Sequence, residues 1–391
     1  MSQQPDPVVK AVMKAPPAFL RRQVPRPVFT ALIGLGIALR LWVSTFGYNF
    51  DLQSWAIVAS VLDSGGNVYA ETARYNYAPV WIQVIGVASW FSSLFDDEIG
   101  AFGLFFTLLL TAVDVGLCLL LRRKGGDMVA LLFFLNPISI LISGHHRQFG
   151  NLALLLGLVA AHLFDRSDPD RLDSKAWLGM LVLGLSLTTK HLLFALPWWL
   201  ALKRRRLVHG LVVFTVPVAL FLASFLPYWS EGSDGIVQNV FLYRFVPNAP
   251  LWNGWMPPLI ADLVPATVGL LAALTLGGLV LRKVAAFPSV LLYTALLVVA
   301  SPAMANQYFA LVAPFLAWFL NVFAVVYVIG ATALLLVSPD GLHLTAAVDP
   351  VWLYTSGVSW LVAPLFAALV WVFARDRIVS GVRRIRRILL P

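Results

Sequence analysis

The sequence predicts an all-α, polytopic membrane protein, and three observations predict it. Of the 391 residues, 60% are hydrophobic and 12% are charged, with a mean hydropathy of +0.82, which leaves too little polar surface to clothe a water-soluble globule of this size. Apolar runs recur along the whole chain, separated by short polar stretches. The positive charge is placed, not spread: 23 of the 28 Lys and Arg residues fall in clusters within 1–26, 122–124, 166–175, 203–206, 282–283 and 375–387. Basic clusters beside apolar runs are what the positive-inside rule assigns to cytoplasmic segments, so the net charge of +9 encodes orientation and nucleic acid is not an expected partner. The single cysteine, Cys118, sits in an apolar run and excludes both a disulfide framework and a cysteine-built metal site.

Residues 1–26 read as a basic cytoplasmic tail before a retained helix, because no small-residue cleavage site follows a short apolar core. The first span, 27–46, then runs outward and delivers a long segment, 48–100, to the far side. Within it, 80–95 is apolar but only 16 residues long and is followed by Asp96, Asp97 and Glu98. A crossing there would carry 122–124 outside, so an interfacial or re-entrant helix is expected. Further crossings are expected at 101–121, 128–143, 150–164, 176–189, 191–202, 207–228, 259–281, 286–301, 307–320, 322–337 and 352–374. Twelve crossings, within a range of 11–13 transmembrane helices, leave both tails (1–26 and 375–391) inside, with 27–374 as a single transmembrane domain. Spans of 12 to 16 residues reach only about 18–24 Å, short of a hydrocarbon core of roughly 30 Å. Short helices among full-length ones imply a cavity open on one face, and the polar connections put that face outside.

Removing the clustered basic residues leaves Arg40, Arg74, Arg147, Lys190 and Arg244, all on the outer side or in the outer half of a span. Charges near hydrocarbon need anionic partners, and convergence on a phosphate is one common explanation; snorkelling to headgroups is the other. Asp51, about five residues beyond the first span, is either the N-cap of a helix starting at Leu52 or a general base at the cavity mouth. His145, His146, Arg147 and Gln148 form a polar knot without the i, i+4 spacing of a helical two-histidine metal site, so they read as donors to a sugar or phosphate, or as a hydrated turn. Lys190 and His191 interrupt an apolar run before Pro197, and Asp114 lies mid-span, either paired or protonated.

At these residues a family resemblance becomes visible. The opening loop, from Asp51 through Gly65, Gly66 and Tyr69 to Tyr75, Tyr77, Pro79 and Trp81, resembles that of the first mannosyltransferase of glycosylphosphatidylinositol synthesis. Gly144 to Asn151 (Gly-His-His-Arg-Gln-Phe-Gly-Asn) is similar to an element of the dolichyl-phosphate-glucose glucosyltransferases, as is the lysine-bearing Leu-Ser-Leu-Thr-Thr-Lys-His stretch before Pro197. Asn306, Gln307 and Tyr308 resemble a late Gln-Tyr-Phe element of the mannosyltransferases. Together these elements resemble the GT-C glycosyltransferases, which use polyprenyl-linked sugar donors outside the cytoplasm.

The resemblance implies that Asp51 stands at the catalytic aspartate. Where the mannosyltransferase relatives carry an Asp-x-Asp pair, this chain has Asn49-Phe50-Asp51, and one carboxylate puts a divalent metal in doubt. No metal ligands and no cofactor are therefore expected. The expected function is inverting transfer of a hexose, mannose or glucose, from a polyprenyl-phosphate donor to a lipid-linked or envelope glycan acceptor. Asp51 acts as base, with Arg74, Arg147, Lys190 and Arg244 toward the donor phosphate. Tyr69, Tyr75, Tyr77, Trp81, His145, His146, Gln148, Trp252 and Gln307 are the sugar or acceptor contacts. Membrane lipids are the surroundings, in a prokaryotic plasma membrane with the site facing outward or in the endoplasmic reticulum. The competing readings are a lipid or sugar transporter and a non-catalytic subunit of an envelope-assembly complex.

Overall fold

The computed structural model describes residues 12, 16–243, 248–338, 341–342, 344 and 357–389, with side chains as far as Arg375 in the last stretch. Every regular element among them is helical. In chain order the helices are α1 (Arg26–Ser44), α2 (Phe50–Asp63), α3 (Val68–Glu71), α4 (Val80–Ser92), α5 (Glu98–Gly125), α6 (Asp127–Phe134) and α7 (Pro137–Leu141). After a π turn, Ile142–His146, come α8 (Gly150–Phe164), α9 (Ser174–Thr189), a 3-10 turn (His191–Leu193) and α10 (Leu196–Ala201). Next are α11 (Leu207–Ala223), α12 (Trp229–Ile236), α13 (Pro250–Trp255), α14 (Pro258–Leu263), α15 (Ala266–Val280) and α16 (Ala286–Val299). The last are α17 (Tyr308–Leu311), α18 (Ala313–Trp318), α19 (Val322–Val337) and α20 (Val358–Leu389).

Among the described residues, four helices are long and apolar enough to cross a membrane: α1, α5, the run Leu207–Phe241 and Val358–Arg375. A fifth is the pair α6 and α7 with its π turn, bent by 48°. That bend has a local cause: Pro137 cannot continue the hydrogen-bond ladder of α6, and Asn136 restarts it by accepting from the Ile138 N–H. Among the described residues six shorter apolar helical segments, α4, α8 and α16 among them, join the bundle, and α9 packs between α8 and α11. This is an all-α membrane protein, but its expected crossings are not each one full helix. The crossing expected at 191–202 is a 3-10 turn followed by the six-residue α10, and the one expected at 307–320 is two short helices that break at Val312. Helix 80–95 shortens to the 13 residues of α4, roughly 20 Å, which packs against α5 and α2.

Basic segments meet at one end. Asp127 accepts from the Val24 N–H at 2.8 Å and pairs with Arg122 at 2.7 Å, and Lys124 lies over the Phe287 ring. Asp165 caps α16 through the Phe287 N–H at 3.1 Å, while Lys203 donates to the carbonyls of Leu281 and Val284 that end the preceding connection. Arg204 ties in 167–171 through the Asp168 carbonyl and the Ser167 hydroxyl.

Apolar packing divides into a large core along the bundle and a smaller one beneath the 48–79 loop. The smaller core is aromatic: Trp81 stacks on Phe149 at 3.8 Å and 9°, and Trp55 meets Trp81 and Phe106 at 5.3 and 4.6 Å. Between the two lies a buried ion pair. The Arg40 Nη2 of α1 is 2.9 Å from the Asp114 Oδ2 of α5, and Ser139, Ser143 and Asn151 also donate to that carboxylate. Both side chains are fully buried, and the network ties α1, α5, α7, the π turn and α8 together.

Candidate active site

At the end of the bundle away from the basic segments, the loop and the breaks in the short helices enclose a cavity of about 290 Å³. Its wall holds Asp51, Arg74, Tyr77, His146, Lys190 and Gln307, which come from five distant stretches of sequence. Asp51 stands in the first turn of α2, where an acidic side chain is favoured by the helix dipole. It is not the N-cap: Asn49 is, accepting the Leu52 N–H at 3.1 Å. The cap also orients a histidine. With the Asn49 Oδ1 engaged by Leu52, its Nδ2 donates to the His146 carbonyl at 3.2 Å and to His146 Nδ1 at 3.1 Å. His146 Nδ1 is therefore the acceptor and Nε2 carries the proton, with no protein partner for it among the described residues.

Lys190 is placed by the end of α9. Its backbone turns extended there, and its ammonium donates to Gln307 at 2.7 Å and Gln148 at 3.1 Å above the rings of Tyr77 and Phe149, at 4.8 and 4.6 Å. Both amide partners are neutral; burial pulls the Lys190 ammonium down to about 7, and the Asp51 carboxylate works against that by favouring the charged form. Arg74 lies over the Phe50 ring at 4.1 Å and donates to Ser54 at 3.3 Å. Burial pushes the Tyr77 phenol well up from its ordinary value, and the Asp51 carboxylate pushes it further, so the ring faces the cavity as a neutral hydroxyl. Burial raises the phenol of Tyr243 in the same way, again with Asp51 adding to the effect.

Several residues expected at the site stand elsewhere. Arg147 is absent from the cavity wall. Its guanidinium is taken up by the carbonyls of Ser44, Gly47 and His145 and by the Thr107 hydroxyl, which fixes the end of α1 against α5. Its left-handed backbone, φ 56°, unwinds the π turn into α8. Gly144 lets that turn approach α1, since a Cβ there would meet the Arg40 backbone.

Four aromatic residues are likewise structural. The Tyr69 hydroxyl donates to the Tyr77 carbonyl at 2.9 Å and the Tyr75 hydroxyl to that of Ala78 at 2.7 Å. Both rings and Trp81 are buried in the aromatic core, and Trp252 packs on Gly269 of α15. His145 Nε2 donates to the Gly341 carbonyl at 3.0 Å, and Gln148 acts by holding Lys190. The position expected for Arg244 lies outside the described residues.

The cavity also holds residues that the sequence did not single out, Asn76 and Tyr243, which bond to each other. The signal for Asn76 was its place between Tyr75 and Tyr77; for Tyr243 there was none. Among the described residues no three His, Cys, Asp or Glu side chains gather as a metal set. No protein-family model matches the chain, and neither does any curated protein or solved structure. Fold and cavity thus define a class, an all-α membrane protein with a charged polar chamber at the end opposite its basic segments.

Proposed function

We propose that this chain is a GT-C type glycosyltransferase that moves a hexose from a polyprenyl-phosphate donor to a lipid-linked or envelope glycan hydroxyl on the non-cytoplasmic side of the membrane. The observation that carries the reading is the pairing of one carboxylate, Asp51, with the cations Lys190 and Arg74 around a cavity of about 290 Å³. Transfer with inversion asks for these two things. Asp51 takes the proton from the acceptor hydroxyl as its oxygen bonds to the anomeric carbon. The bond from that carbon to the phosphate oxygen breaks, and the polyprenyl phosphate leaves with the electron pair toward Lys190 and Arg74. Tyr77, Gln307, Asn76 and the His146 Nε2–H supply donors for sugar hydroxyls. The first-loop resemblance and the sequence order of the elements support the assignment to GT-C, and short helices beside the cavity leave room for an isoprenoid.

The test is a reconstituted assay with synthetic polyprenyl-phosphate mannose and glucose. Asp51→Asn is expected to lower turnover by about 10²–10⁴-fold, the range of general-base catalysis, while the protein still folds. Near-normal turnover in that variant removes the base assignment. Activity is expected to persist in chelator, whereas strict dependence on Mg or Mn overturns the metal-free version. Counterflow of intact donor with no glycosylated product points to a carrier instead.

A further inference from the structure

A second groove, of about 460 Å³, opens at the other end of α9 from Lys190, between α10 and the start of α11. One wall is apolar, built from Trp198, Leu202, Leu207, Leu211 and Phe214. The rim is cationic: Arg204, Arg205 and Arg206 all line it. The three arginines differ in what they are free to do. Arg204 is held by the 167–171 connection. Arg205 pairs with Asp170 at 2.9 Å, but with side-chain exposures of 73% and 39% the pair is weak and exchangeable. The exposed guanidinium of Arg206 has no hydrogen bond or ion pair among the described residues.

Two further donor groups belong to the same region. Arg206 precedes the 17-residue α11 as a cap with no side-chain acceptor, so the first N–H groups of that helix are open to an anion. The indole N–H of Trp198, a residue of the groove wall, has no hydrogen-bond partner among the described residues. An apolar cleft that ends in arginines and a helix N-terminus complements a molecule with hydrocarbon tails and a phosphate head.

We propose that this groove is a binding site for an anionic phospholipid, with the phosphate against Arg205, Arg206 and the start of α11 and the acyl chains along Leu202, Leu211 and Phe214. The site is separate from the Asp51 cavity and stands whatever reaction that cavity performs.

The experiment is native mass spectrometry of the full chain released from detergent after exchange with phosphatidylglycerol, phosphatidylcholine or inorganic phosphate. Wild type is expected to retain phosphatidylglycerol over phosphatidylcholine. Arg205→Gln/Arg206→Gln, at exposed positions that the core does not need, is expected to bind phosphatidylglycerol about thirty-fold more weakly, with phosphatidylcholine unchanged. Leu211→Trp, which fills the groove and leaves the charges, is expected to weaken phosphatidylglycerol as well. Equal retention of the two lipids by wild type, undiminished phosphatidylglycerol binding in the double arginine variant, or binding of inorganic phosphate as tight as that of the lipid would each overturn the proposal.

Discussion

Arg147 and Lys190 looked equivalent in sequence, each a lone cation beside an apolar run, and their surroundings separate them. Arg147 makes bonds to three carbonyls and one hydroxyl, the geometry of a planar five-donor group used as a staple. Lys190 touches two amide oxygens and two aromatic faces on a cavity wall. Arg147→Lys keeps the charge and loses the fork. It is expected to lower the midpoint of thermal unfolding while leaving the KM for donor unchanged, and a raised KM with unchanged stability would return Arg147 to phosphate binding. Asp114 settles differently: its mid-span carboxylate is paired with Arg40 and accepts from three further side chains. Asp114→Ala leaves a buried guanidinium without its counterion, a change that costs roughly 3–5 kcal/mol. A large drop in folded yield by size-exclusion chromatography is expected, and a variant as stable as wild type would show that the pair adds nothing.

At the scale of elements, the 48–79 loop is a small folded layer with its own core. Its tyrosines are pinned to carbonyls, and α12 packs against it so closely that a Cβ at Gly235 would collide with the Tyr69 carbonyl. Burial raises the phenols of Tyr69, Tyr75 and Tyr77 above their ordinary value of 10.0, so the folded layer holds those protons more tightly than the unfolded chain does. The sign follows: this stability is complete below about pH 10 and is lost as pH rises beyond it. Spectrophotometric titration is expected to show the three phenols ionising only together with loss of tertiary structure. Ionisation near 10 in the intact fold would contradict their burial.

Over the whole molecule, charge and chemistry separate along the bundle. The segments around Arg122, Arg166 and Lys203 gather at one end, and the Asp51 cavity opens at the other, with α9 reaching from Ser174 near the first to Lys190 at the second. The orientation proposed above, with the basic end inside as the positive-inside rule would have it, puts the cavity on the non-cytoplasmic face. In a Cys118→Ala background, Ser64→Cys in intact cells is expected to react with a membrane-impermeant maleimide and Arg171→Cys only after permeabilisation. The reverse pattern would invert the proposed orientation.

The sequence by itself determined the all-helical class and the separation of basic ends from polar loops, and it singled out much of the cavity lining: Asp51, Arg74 and Tyr77 in the opening loop, His146 and Lys190 as polar interruptions of apolar runs, and Gln307 through a family resemblance. Such interruptions are conspicuous because bare polarity in hydrocarbon is costly. What they are for was not legible. Whether a cation meets a carboxylate, a row of carbonyls or an open chamber depends on which helices come together, and the sequence signal of Arg40, Arg147 and Lys190 is nearly the same. Only the tertiary structure decided that Arg40 pairs with Asp114, that Arg147 staples a turn, and that Tyr69, Tyr75, Trp81 and Trp252 are packing residues. The physical reason is that hydropathy measures the cost of burying a group, whereas its role is set by the partner that offsets that cost, and the partner lies far away along the chain.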